Sequence, residues 1–246
     1  LQTMQADRFV LISTIAVLDR FDNGYTEENT RYQQTTPYGT NRRKLELSCQ
    51  EIFPNCLIVR LPALFGTGLM KNFVFDLMNP MPTMLSTDAY KTLETGLSKD
   101  LKPALQTIYS LDTTLGLQHI DRAALATLPD RSSLESAART LGIDAVMCHN
   151  RDTTSLFYEM AQLASDIDRA LDAGLDCIHL TPPPMRAADI HLALTSKEMQ
   201  ETGARLHRED MRTRHAGLWG QKGPYIRSVE DTLTALTTFF QHEKKC

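Results

Sequence analysis

No apolar run in the 246 residues approaches the ~20 needed for a membrane-spanning helix, and no leader pattern is visible, so the expected protein is cytoplasmic, without a membrane partner. No Cys/His spacing suits zinc, so no metal site is expected. The five cysteines (Cys49, Cys56, Cys148, Cys177 and Cys246) are odd in number and scattered, which fits reduced thiols better than a disulfide framework. The net charge is −4 with no basic stripe, which argues against a nucleic-acid partner. Internal repeats, low-complexity tracts and heptad runs are missing too. No glycine precedes Gly24, so the start of the chain lacks any glycine-rich turn able to seat a pyrophosphate on a helix N-terminus.

What is present is a 42% hydrophobic chain with apolar runs separated by helical patterns. Arg8-Phe9-Val10-Leu11-Ile12-Ser13-Thr14 and residues 56–61 read as strands, the second covered on both faces. Between them lie a polar loop over 19–37 and a helix over 38–53 that buries Leu45, Cys49 and Ile52. The middle, about 69–131, reads as helical and irregular. Ser132 and Glu135 have capping-box spacing for a helix that buries Leu134, Ala138 and Leu141. Further on, the patterns predict strands at 143–148 and 175–180 and helices at 154–173, 186–194, 203–216 and 228–241, the last burying Val229, Leu233, Leu236 and Phe240. His179, inside the second of these strands, reads as a structural histidine. Alternating strands and helices make the fold class α/β with a mainly parallel sheet.

One stretch suggests chemistry. In a helix, Tyr38 and Arg42 are four apart and share a face. A phenol ionises near ~10, and a fixed cation beside it favours the phenolate, as a general base or acid requires. Ser13 and Thr14 add two hydroxyls at the end of the preceding strand. His149-Asn150-Arg151-Asp152-Thr153 is a second polar cluster, in which Arg151 suits a bidentate anion and Asp152 and Thr153 equally suit a helix cap.

With Ser13-Thr14, Tyr38-x-x-x-Arg42, Glu46, and then Arg60 followed by Gly66 and Gly68, the chain resembles the extended short-chain dehydrogenase/reductase family of NAD-dependent epimerases and dehydratases. It departs from the family pattern in holding Arg42 at the lysine position, Ala63 at an asparagine and Thr67 at a proline. The resemblance implies a partial Rossmann-type doubly wound parallel sheet. Residues 1–80 would be the C-terminal part of a dinucleotide-binding domain, and 81–246 a smaller, mostly helical substrate-side region with further strands on the same sheet. It implies NAD or NADP as cofactor, and proton and hydride transfer at a hydroxyl or ketone of a small molecule such as a sugar nucleotide. Tyr38, Arg42, Thr14 and Ser13 would be catalytic. Arg42, Tyr38, Pro62, Ala63 and Leu64 would hold the cofactor, and Arg151 and Asn150 the substrate. A homodimer is a further expectation. The alternative is a non-catalytic NAD(P)-binding or sensing protein, which Arg42 and Ala63 favour. The resemblance also implies that the chain is a piece of a longer protein, so that Arg8 to Ser13 becomes an unpaired sheet edge prone to self-association, with poor dinucleotide binding.

Overall fold

The first apolar run becomes strand β1 (Phe9–Thr14), and Pro37, whose missing N–H costs nothing at a helix start, opens α1 (Pro37–Ile52). Strands β2 (Cys56–Leu61) and β3 (Ala63–Phe65) follow, interrupted at Pro62. Then come α2 (Phe73–Met78), β4 (Met84–Ser86), α3 (Thr87–Gly96), α4 (Lys102–Ile108), β5 (Tyr109–Asp112), β6 (Leu117–Ile120), α5 (Arg122–Thr127) and α6 (Arg131–Thr140). The rest of the chain supplies β7 (Thr154–Ser155), β8 (Phe157–Glu159), α7 (Leu163–Asp172), β9 (Cys177–His179), β10 (Met185–Arg186), α8 (Ala187–Thr195) and α9 (Val229–Glu243). This computed structural model describes residues 5–244.

The chain divides into two units, and the division is not linear. Residues 1–69, 151–199 and 206–246 form one, and residues 70–150 and 200–205 the other. Residue 80 falls within the second unit, from which the chain returns to the first.

In the first unit, β1, β2 and β9 form a parallel sheet in that order, with Phe9 opposite Cys56 and Ile58 opposite Cys177. Every residue of β2 is buried, as its apolar run predicts for a strand covered on both faces. Leu57, Val59 and Leu61 pack with Tyr158, Ala170, Ile178 and Leu180 on one side. Ile58 and Cys56 pack with Cys49 and Phe53 on the other. Beyond Pro62, β3 pairs in parallel with β8, Leu64 opposite Tyr158. The sheet is the Rossmann-type arrangement expected. The second unit is built differently, on an antiparallel sheet of order β4-β6-β5 packed by Leu93, Leu105, Ile108, Leu125 and Leu134.

Several expectations are corrected. Residues 154–173 are not one helix. Phe157–Glu159 is a strand, preceded by the buried Leu156, and the helix begins only at Leu163. Over 143–148 there is a 3-10 turn, Ala145–Cys148, which Asp144 opens by accepting a bond from the Met147 N–H. The 203–216 stretch is irregular and held by bridges of Arg208 to Thr154 and Met211 to Tyr25. Ser132 is not a cap: α6 starts one residue earlier, and Glu135 accepts from Arg131 Nε at 2.7 Å instead. Val229 is 51% exposed, while Thr232, Leu236 and Phe240 form the buried stripe of α9. In α1 the buried residues are Gly39, Glu46 and Cys49, with Leu45 and Ile52 only partly covered.

Candidate active site

The carboxyl ends of parallel strands are where ligands bind in open α/β sheets, and β1 ends in Ser13 and Thr14. The next residues turn as a 3-10 helix, Ile15–Val17, with the Thr14 hydroxyl oxygen accepting from the Ala16 N–H at 3.1 Å. The first turn of α1 lies directly against this turn. A β-carbon on Gly39 would stand 2.3 Å from the Ala16 carbonyl oxygen, so only glycine permits the approach. This packs Gly39, next to Tyr38, against Ala16, two residues after Thr14. The Tyr38 ring is 58% exposed, and the Arg42 guanidinium lies over it, 5.7 Å from the ring centre.

Ser13 points the other way. Its hydroxyl donates to Glu46 Oε1 at 2.6 Å in a site from which water is excluded. The Glu46 carboxylate also accepts from Arg60 Nε at 2.9 Å, Arg60 Nη2 at 2.8 Å and Arg43 Nη1 at 2.8 Å. Burial alone would raise this carboxyl, but the bonds from Arg60, Ser13 and Arg43 hold it below its ordinary range. The Tyr32 ring covers the pair, with the Arg43 guanidinium 3.8 Å and that of Arg60 5.6 Å from its centre.

The network continues to β9. Nδ1 of the fully buried His179 lies 3.0 Å from the Arg212 carbonyl oxygen, which can only accept, so Nδ1 carries the proton. Nε2 is then the acceptor for Arg60 Nη1 at 3.2 Å, and the ring is neutral. Burial pushes this imidazole down to about 4, with Glu27 pulling it up and Arg60 pushing it further down. Glu27 accepts from the His179 N–H, the Thr213 hydroxyl and the Arg214 N–H. Its carboxyl, which burial would raise, is held low by His179 and these donors. His179 is therefore structural, as read.

The central role of Glu46 and Arg60 was missed, although a signal existed. A single arginine inside the apolar run 56–61 must find a buried partner, because an unpaired charge there is too costly.

The remaining expected residues are spread out. Ala63 and Leu64 lie in β3, after Pro62 at the end of β2. Arg151 belongs to the first unit, and its guanidinium has no hydrogen bond or ion pair among the described residues; its carbonyl accepts from the Ala188 N–H. Asn150 belongs to the second unit, where its amide donates to the Ala204 carbonyl at 3.0 Å. The Gly66-Thr67 turn lines a groove of about 640 Å³ with Met160, Ala235, Thr238 and Phe239, and none of Ser13, Thr14, Tyr38 or Arg42 lines it. Gly217, Gly220 and Gly223 have the spacing of a dinucleotide turn, but they follow no strand and lie in a 3-10 helix and the bends after it, so they form no phosphate cradle. Among the described residues no group of His, Cys, Asp and Glu is placed to hold a metal ion, and no helix is long and apolar enough to cross a membrane.

No protein-family model and no curated protein matches the chain. Solved structures do. A UDP-galactose 4-epimerase superposes with a TM-score of 0.55 at 12% identity, over 97% of this chain and 63% of its own. A dTDP-4-dehydrorhamnose reductase from Clostridium acetobutylicum gives 0.53 at 15% identity, over 96% of this chain and 66% of its own. A UDP-glucuronic acid 4-epimerase from Bacillus cereus, solved with UDP-glucuronic acid and NAD, gives 0.52 at 12% identity, over 98% and 64%. The chain thus spans less than two thirds of the length of the two epimerases. At these identities the likeness is one of fold: the chain shares the fold of these epimerases and this reductase.

Proposed function

We propose that this chain is part of an NAD(P)-dependent oxidoreductase or epimerase/dehydratase that acts on a hydroxyl or ketone of a small molecule, with sugar nucleotides as the substrate class. The observation that supports this reading is the packing of Gly39, next to Tyr38, against Ala16, two residues after Thr14, in a fold shared with such enzymes. Tyr38 exchanges the proton of the substrate hydroxyl. Arg42 keeps a permanent positive charge over the phenol ring. Thr14 orients the substrate oxygen through its hydroxyl. Ser13, whose hydroxyl is taken up by Glu46, acts as a positioning residue that ties α1 to β1.

The cofactor fit rests on Arg42, whose guanidinium has no hydrogen bond or ion pair among the described residues and is available for ribose hydroxyls. Tyr38 and the Pro62, Ala63 and Leu64 backbone at the end of β2 complete that half of the site. When bound, the dinucleotide supplies the hydride chemistry. Arg151, whose guanidinium likewise has no hydrogen bond or ion pair among the described residues, suits an anionic group of the substrate.

In the full-length protein, Tyr38→Phe is expected to abolish turnover of NADH or NADPH with a panel of ketones and sugar nucleotides, while dinucleotide binding measured by calorimetry stays within a factor of a few. Unchanged turnover in this variant would remove Tyr38 from the mechanism. A second reading, a dinucleotide-binding protein without turnover, is favoured by Arg42 in place of a lysine and by the engagement of Ser13 with Glu46. Wild-type binding with no turnover on the whole panel would select it.

A further inference from the structure

The groove of about 640 Å³ at the Gly66-Thr67 turn is lined by none of the residues assigned above to catalysis or to the cofactor. It is built wholly within the first unit, between the ends of β3 and β8, the 3-10 turn Met160–Gln162 and the C-terminal half of α9. That size suits a small organic ligand.

Its floor is aromatic. Phe65 is buried, and its ring centre lies 5.8 Å from that of Phe239, with the planes inclined at 57°. Met160 forms one wall, exposed and with an unbranched thioether that adapts to what lies against it. Gly66 lets that wall come close: its φ is +149°, and a β-carbon there would stand 3.1 Å from the Met160 β-carbon.

The rim is acidic. Glu159 accepts from Arg227 Nη1 through Oε2 at 3.3 Å, while its Oε1 has no hydrogen bond among the described residues. Glu243, the last helical residue of α9, lies 3.7 Å from His242 Nδ1, too far for a hydrogen bond. Because α9 ends here, the negative end of its dipole falls on the same rim. Among the described residues no lysine or arginine lines the groove.

These features select a charge. An ammonium is drawn both to the face of an aromatic ring and to carboxylates, whereas an anion is repelled by both. We propose that this groove binds an arylalkyl amine, with the aryl body on Phe65 and Phe239 against Met160 and the protonated amine at the rim, toward Glu159 and Glu243. The site is separate from the one at Thr14 and Tyr38 and does not rest on the reading given for it. A sugar nucleotide, whose phosphates are anionic, does not suit it.

The test is a titration of the full-length protein with phenethylamine at neutral pH, followed through the Met160 signal in methionine-methyl-labelled protein and assigned by its loss in Met160→Leu. Phenethylamine is expected to shift that signal saturably in the millimolar range or below. Phenethyl alcohol is expected to bind about fivefold more weakly, and phenylpropionate not at all. Glu243→Gln is expected to weaken the amine about threefold, and Glu159→Gln combined with it about tenfold. Thr238→Trp, at an exposed position of α9, fills the groove and is expected to abolish the shift with an unchanged thermal midpoint. A Met160 signal that phenethylamine leaves in place overturns the proposal. Equal affinities for amine, alcohol and acid do so too. Glu159→Gln also frees Arg227; should it fail to fold, Glu243→Gln and Thr238→Trp decide, and unchanged binding in either overturns the proposal.

Discussion

The cores of the two units solve different problems. The first unit carries charge in its interior: Glu46 and Arg60 are 0% and 2% exposed, and every oxygen of the carboxylate is bonded. The second unit is held by Leu93, Leu105, Ile108, Leu125 and Leu134; among its described residues the Tyr109 hydroxyl makes a fully buried neutral bond to the Pro82 carbonyl at 2.5 Å, and the part-buried Arg122 donates to the Met81 carbonyl and the Thr83 hydroxyl without a buried carboxylate partner. A charged core is weak evidence for stability, since desolvation offsets much of the attraction. It does give specificity of arrangement: Glu46 accepts only if α1, β1 and β2 all hold their places. The candidate site sits in the unit that holds the fully buried ion pair.

The sharpest way to break the contrast is to remove one partner of the buried pair. Glu46→Leu leaves Arg60 buried without its carboxylate and is expected to destabilise the first unit by about 3–5 kcal/mol in urea unfolding. A loss under about 1 kcal/mol would mean that the network is solvated in solution.

Acid should separate the units next. His179 is depressed to about 4 in the fold and ionises near ~6.5 when unfolded, so its contribution is fully present above ~6.5 and is lost as pH falls from there toward 4. The maximum slope for one proton is about 1.4 kcal/mol per pH unit. Glu27 and Glu46, held low by their donors, lose their contribution only at lower pH, as it falls through their folded values. Urea midpoints followed from pH 7 to pH 4.5 are expected to fall, and in His179→Asn to fall less.

The smallest effect belongs to the second unit. Tyr109→Phe leaves the Pro82 carbonyl without its donor and is expected to cost about 1–2 kcal/mol. Burial raises this phenol above its ordinary range, so it stays neutral at every working pH and the cost is the same at pH 7 and pH 5. A pH-dependent cost would show that the units do not differ in this way.

Much of the first unit can be read from the sequence. Apolar runs at 9–12 and 56–61 give strands because burial on both faces leaves few other choices, and Pro37 and Ser228 mark helix starts through local chemistry. The order of Ser13-Thr14, Tyr38, Arg42 and Arg60 is likewise visible before any coordinates. In the second unit the strands are three or four residues long and carry mixed side chains, as in Leu117-Gln118-His119-Ile120, and no periodicity of that length separates strand from helix.

Tertiary structure decided the rest. It divides the two hydroxyls, giving Ser13 to Glu46 and leaving Thr14 at the turn, because only folding sets α1 against β1 at the distance that Gly39 allows. It makes Phe157, Tyr158 and Glu159 a strand beside β3, a pairing across more than ninety residues that local preference cannot encode. It also closes the β9 edge of the sheet with Glu27, since partners so distant along the chain meet only once the chain has folded.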